Sequence, residues 1–178
     1  MAFEGTRTLR GALAGATAAA VWAAQQPLDK RVFGVDYDDA ELLGRLARVR
    51  GPAARPAGLA LHVANGALFG AVYANVAPSL PCPPALRGAA AGLAEHLATW
   101  PGTLVVDRLD LAGRSFPTLW GDPRAFAQAT WRHLLFGAVL GELERRLNPP
   151  ETEPEPVDAV AVASNGHGSA EHLVASGR

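Results

Sequence analysis

The chain has 178 residues, enough for one domain with a substantial core, and its formal charge of -1 and pI near 6.5 exclude the basic surface that nucleic-acid binding needs. Its lone cysteine, Cys82 in PSLPCPP, excludes an internal disulfide and has no neighbour at metal-ligand spacing. Mean hydropathy is +0.08, between soluble and membrane proteins, so the distribution of charge decides more than the average. Gly11 to Leu28 and Pro56 to Leu86 carry no charged residue, whereas 29–55, 107–124 and 142–155 hold most of them.

In chain order, TLRGALAGATAAAVWAAQQ predicts an apolar helix over 8–26, stopped by Pro27, which pushes the residue before it out of helical geometry. It reads either as a membrane span or, with Arg7 and Arg10 ahead of a small-residue core, as a secretory signal peptide. DYDDAELLGRLARVRGP predicts a helix over 38–50 with Asp38 as N-cap, Glu41 three residues on and Gly51-Pro52 closing it. Leu42, Leu43, Leu46 and Val49 share one face and Arg45, Arg48 and Arg50 lie elsewhere, a pattern that suits a membrane surface or the outside of a soluble bundle. Residues 57–77, AGLALHVANGALFGAVYANVA, are uncharged throughout and about as long as a bilayer crossing.

PSLPCPP then forces a reversal, and two further helices are predicted over 85–106 and 124–147. Pro101 in TWPG predicts a kink in the first of these. Residues 107–124 read as surface turns, with Trp120 and Trp131 suited to a membrane interface. Beyond Asn148 the composition is Pro/Glu-rich, then small and polar, which predicts a disordered tail over 149–178 with His167 and His172 in solvent.

Two phrases recur in the same order. RGALAG at 10–15 returns as RGAAAG at 87–92, and ALFGAV at 67–72 returns as LLFGAV at 134–139, which predicts two tandem helical hairpins related by a pseudo-twofold axis. Each helix carries two glycines four apart: Gly11 and Gly15, Gly66 and Gly70, Gly88 and Gly92, Gly137 and Gly141. In a water-exposed helix each would cost about 0.8–1 kcal/mol relative to alanine. In lipid, small residues one turn apart let backbones approach and gain dispersion contacts, so these glycines are expected to form helix-packing strips.

Polar residues interrupt the apolar segments at comparable depths: His62 and Asn65, Glu95 and His96, Arg132 and His133. Because an unpaired charge at bilayer centre costs about 2.5–3.5 kcal/mol on insertion scales, a Glu95–Arg132 ion pair is expected, with the histidines, Asn65 and Gln128 completing one polar layer. Such a layer serves as a structural knot that fixes register or as a proton or small-solute path. Ligation of metal or haem by His62, His96 and His133 is a third reading, unsupported by any HxxxH or ExxH spacing.

The Gly/Ala-rich first helix, LHVANGALFGAVYA and HLLFGAVLGELERRL together resemble small bacterial inner-membrane proteins of the YagU-like family. The resemblance implies a four-helix protein of the bacterial inner membrane without an assigned activity. The expectation is therefore an all-α, four-helix transmembrane bundle over 1–148 with one amphipathic interfacial helix. It is expected to be non-enzymatic, to hold no metal or cofactor, and to have the lipid bilayer and, in a homo-oligomer, a second copy of itself as partners. The alternative is a soluble or exported helical bundle that binds a metal or haem through buried histidines.

Overall fold

A computed structural model describes residues 4–149, and these are helical with no strand among them. The tail expected over 149–178 lies, from 150 on, outside the described residues. The helices are α1 (Gly5–Phe33), α2 (Asp39–Leu46), α3 (Ala54–Val76), α4 (Pro84–Thr99), α5 (Gly102–Arg108) and α6 (Pro123–Leu147), with short 3-10 turns on either side of α3.

Three boundaries differ from the sequence expectation. First, α1 does not stop at Pro27 but continues for six residues beyond it. Pro27 is exposed and withholds only its own N–H, while the following turn is anchored by buried Asp29, so the helix tolerates the proline. The stop comes from Gly34, whose left-handed φ of 69° lets its N–H close on the Lys30 carbonyl. Second, the helix expected over 85–106 divides at Trp100-Pro101 into α4 and α5; both residues keep right-handed helical dihedrals, so the proline interrupts the hydrogen-bond ladder at the position expected to kink. Third, α2 ends at Leu46, with Arg48 at φ 62°, and not at Gly51-Pro52. Its Asp38 cap accepts from the Glu41 N–H as the sequence suggests, but Glu41 turns away to pair with Arg45. The helix is docked on α3: a Cβ on Gly44 would run into the Ala54 carbonyl, and one on Gly58 into the Ala40 carbonyl.

The long helices pair as α1 with α3 and α4 with α6, through the glycines. A Cβ on Gly11 would strike the Gly70 carbonyl, and one on Gly15 the Gly66 carbonyl. In the other pair a Cβ on Gly88 would strike the Gly137 carbonyl, and one on Gly92 the His133 carbonyl. When RGALAG is laid on RGAAAG and ALFGAV on LLFGAV, Gly11 matches Gly88, Gly15 matches Gly92, Gly70 matches Gly137 and Gly66 matches His133. The two hairpins therefore dock through the same set of backbone contacts. Phe69 and Phe136, which match each other, meet with ring centroids 5.6 Å apart, where an axis relating the halves would pass.

The pairing between hairpins is unequal. α1 packs along α6, whereas α3 and α4, which would be the corresponding pair, do not pack against each other. The gap is a cleft, backed by Trp22 and Phe136 and capped at one end by α2 and α5. At the opposite end the start of α1 is tied to the end of α6: Arg7 donates to Glu144 at 2.8 Å, and Asn148 donates to the Arg7 carbonyl at 3.5 Å. Near α5, the Asp107 carboxylate accepts from the N–H groups of Leu119 and Trp120 and folds the 109–122 loop over a second apolar cluster around Leu119.

The outer faces are apolar. Leu9, Leu13, Val21 and Leu28 of α1, Leu59, Leu61, Leu68 and Val72 of α3, Leu86 and Leu97 of α4, and Phe126 and Trp131 of α6 are all exposed. One stretch, Gly51–Ser79 containing α3, is long and apolar enough to cross a membrane on its own, and only 33% of its most apolar window is buried. The other long helices carry too many polar residues to qualify alone, or in the case of α4 are too short.

Candidate functional site: a polar cleft between two helices

The deepest polar feature is an ion cluster where α1, α2 and α6 converge. Arg132 is the largest fully buried side chain, yet its partner is not Glu95. It grips Asp29 through Nε (2.7 Å) and Nη2, reaches Asp39 through Nη1, and donates from Nη2 to the Tyr37 carbonyl at 3.0 Å. This fork is the geometry that makes arginine suited to a buried carboxylate. Asp29 also accepts from Gln25 and Gln128, and Asp39 from Trp22 Nε1 and the Tyr37 hydroxyl. Both oxygens of Asp29 are occupied by donors, so the carboxylate carries no proton. Burial, and then the neighbouring Asp39 carboxylate, push the Tyr37 hydroxyl well above its usual pKa, so it remains a donor.

The expected Glu95–Arg132 pair is thus absent, because the two side chains leave their helices in different directions: Arg132 toward α1, Glu95 toward the cleft. Glu95 pairs instead with His133, Oε2 to Nε2 at 2.7 Å. The other ring nitrogen of His133 lies 2.7 Å from the Ala129 carbonyl, which only accepts, so Nδ1 carries a hydrogen. The contact with Glu95 takes a second proton, shared across the Nε2–Oε2 contact, so the pair is neutral as a whole.

His96 is placed by the same logic. The single hydrogen of the Thr130 hydroxyl goes to the Phe126 carbonyl, so Thr130 accepts from His96 Nε2–H at 3.0 Å, leaving His96 Nδ1 as a lone-pair acceptor. His62 lies beside Trp22, ring centroids 4.9 Å apart, and faces the Ala19 carbonyl, while its Nε2 is buried with no partner among the described residues. Trp22 also stacks edge-on to His133 at 4.6 Å, and His133 lies 4.7 Å from His96. The three histidines and Glu95 therefore do gather, around one cavity of about 320 Å³ between α3 and α4. Asn65 lines its mouth but is exposed and takes no part in the buried network.

No group of three or more His, Cys, Asp or Glu among the described residues is arranged to hold a metal ion. Residues absent from the expected layer complete the ion cluster, above all Asp29 and Asp39. Trp22, Gln26 and Asp29 follow helical spacing and continue the buried stripe of Gly11, Gly15 and Ala18, a signal hidden only by ending the helix at Pro27.

The chain matches no protein-family model, no curated protein and no solved structure. The cleft has to be read from its own chemistry.

Proposed function

We propose that this protein is a membrane-embedded four-helix bundle, in the bacterial inner membrane as its YagU-like resemblance implies, that receives a small molecule into its α3–α4 cleft. One observation carries the reading. Across Gly11–Leu28, Pro56–Val76, Gly88–Leu97 and Ala125–Gly141, the only charged side chains are Arg132, fully buried, and Glu95, turned into the cleft, while the exposed positions hold mostly leucine, valine, alanine, phenylalanine and tryptophan, with Thr17 and Asn65 the polar exceptions. At 1.5 Å per residue the α1 and α6 stretches are about 25 Å long, close to a hydrocarbon core. Water would favour the opposite arrangement, since contiguous apolar surface on that scale is uncommon on soluble monomers.

The polar cluster then has a double role. Its ion pairs satisfy one another where lipid cannot, and its unsatisfied acceptors give a ligand something to meet. No covalent chemistry is called for by the arrangement, and a binding or solute-handling role fits it better than catalysis. Washing isolated membranes with alkaline carbonate tests the location: the protein is expected in the pellet. Its release into the supernatant as a species that stays monodisperse without detergent would overturn the proposal in favour of a soluble bundle.

A further inference from the structure

The polar groups around the cleft have a consistent sense. His62 Nε2 and His96 Nδ1 are without partners among the described residues, and with the protons assigned above His96 Nδ1 is an acceptor. His62 Nε2 is buried beside it with no partner among those residues, close to the Ala19 backbone. Glu95 uses Oε2 for His133 and keeps Oε1 open, with its side chain 29% exposed into the cleft. The donors nearby are already spent: Trp22 Nε1 on Asp39, the Thr99 hydroxyl on the Glu95 carbonyl, the Thr103 hydroxyl on the Trp100 carbonyl. The Asn65 amide and the Trp100 indole N–H remain to donate.

Charge has the same direction. The Glu95–His133 pair is neutral as a whole, and in the ion cluster beside it two carboxylates (Asp29, Asp39) face one cation (Arg132), which leaves one negative charge uncompensated. The apolar part of the wall is aromatic, with Trp22, Phe69, Trp100 and Phe136 lining the same cavity. An aromatic face beside a carboxylate favours a cation, whose attraction to the ring quadrupole grows as water is excluded.

We infer that the cleft binds a lipophilic amine in its protonated form, with the ammonium donating to Glu95 Oε1 and His96 Nδ1 and the apolar body lying against Trp22 and Phe136. A cavity of about 320 Å³ is at the small end for ligand sites, which limits the occupant to one or two fused rings or an equivalent chain. An anion of the same shape would bring a second negative charge to acceptors that have no hydrogen to give it. The inference rests on the proposed membrane reading only for the route by which the ligand arrives.

The test is equilibrium dialysis of the purified full-length protein, in nanodiscs with empty nanodiscs subtracted or in plain buffer if it needs no lipid, against 1-naphthylmethylamine, 1-naphthalenemethanol and 1-naphthoate. The amine is expected to bind at least tenfold more tightly than the carboxylate, with the alcohol between them, and Glu95→Gln to weaken the amine at least tenfold while leaving the alcohol within threefold. Equal binding of all three probes, tighter binding of the carboxylate, or an amine affinity unchanged in Glu95→Gln would overturn the inference. If that variant does not fold, the wild-type order of the three probes decides alone. A protein released by carbonate that still selects the amine defeats the membrane reading only; one that pellets without selecting it defeats this inference only.

Discussion

The seam between α1 and α6 and the cleft between α4 and α3 are built on matching positions, and one is sealed while the other is open. With the repeated phrases superposed, Arg132 on α6 matches Asn65 on α3, Trp22 on α1 matches Thr99 on α4, and His133 matches Gly66. On the seam these positions supply a buried guanidinium, an indole and an imidazole that fill the space and bind the helices across it. On the cleft side they supply an exposed amide, a small hydroxyl and no side chain at all. The glycine contacts within each hairpin are the same, so backbone docking cannot explain the difference. Side-chain volume and ionic pairing between the hairpins decide which side closes, and the cavity is the volume the second side lacks.

The comparison breaks most severely at Arg132. Replacing it with methionine would leave Asp29 and Asp39 buried without their counter-charge, a loss of about 3–5 kcal/mol for a buried pair stripped of one partner. Thermal unfolding in detergent should show the α1–α6 seam failing, with a fall in midpoint larger than for any other single change considered; a shift no greater than that of a surface substitution would show that the cluster does not hold the seam. The likeness of the hairpins is sharpened by Gly15→Ala and Gly92→Ala, which press a methyl into the carbonyls of Gly66 and His133. Each is expected to cost about 1–3 kcal/mol, with similar values in the two halves. Gly5→Ala, where an added Cβ meets nothing within 4 Å, should stay within about 0.5 kcal/mol. A penalty in only one hairpin would mean the shared contact scheme carries no shared energy.

A smaller effect belongs to Asp38, which tethers α2 beside the seam. Burial would raise its carboxyl pKa, but the Glu41 N–H and the cations of Lys30 and Arg55 outweigh this and hold it below the ordinary value. A lowered folded-state pKa means the ionised form stabilises the fold above the unfolded pKa, and that this contribution is lost as pH falls through the lower, folded value. Asp38→Ala is expected to cost about 0.5–2 kcal/mol at neutral pH through loss of the cap. Denaturation followed from pH 7 to pH 3 should show the gap between wild type and variant narrowing; a gap that widens in acid would mean the carboxylate is not what fixes α2.

Much of the architecture was legible in the chain. Charge-free runs located the long helices, Asp38 announced its cap, and the spacing of Gly11, Gly15, Gly66 and Gly70 marked the residues that the structure brings into backbone contact. Depth along each helix was readable too, which is why His62, Glu95, His96 and His133 meet at one cavity. What depth does not give is direction around the helix axis. Glu95 and Arg132 sit at similar depths but point to opposite sides of α6, so the pair that charge arithmetic favours does not form. Pro27 misled for a different reason: a proline removes one hydrogen bond, and tertiary anchoring through Asp29 outweighs that loss.

The tie between Arg7 and Glu144 places the start of α1 beside the end of α6, while the Pro-rich turn at 81–83 joins one hairpin to the next. A circular permutant of residues 4–149 with new ends opened in that turn, and residues 4 and 149 joined by a short linker, would exchange the order of the hairpins without severing a helix. Such a rearranged gene should still produce the same bundle, and each hairpin could then be expressed separately to ask whether the two recombine on their own.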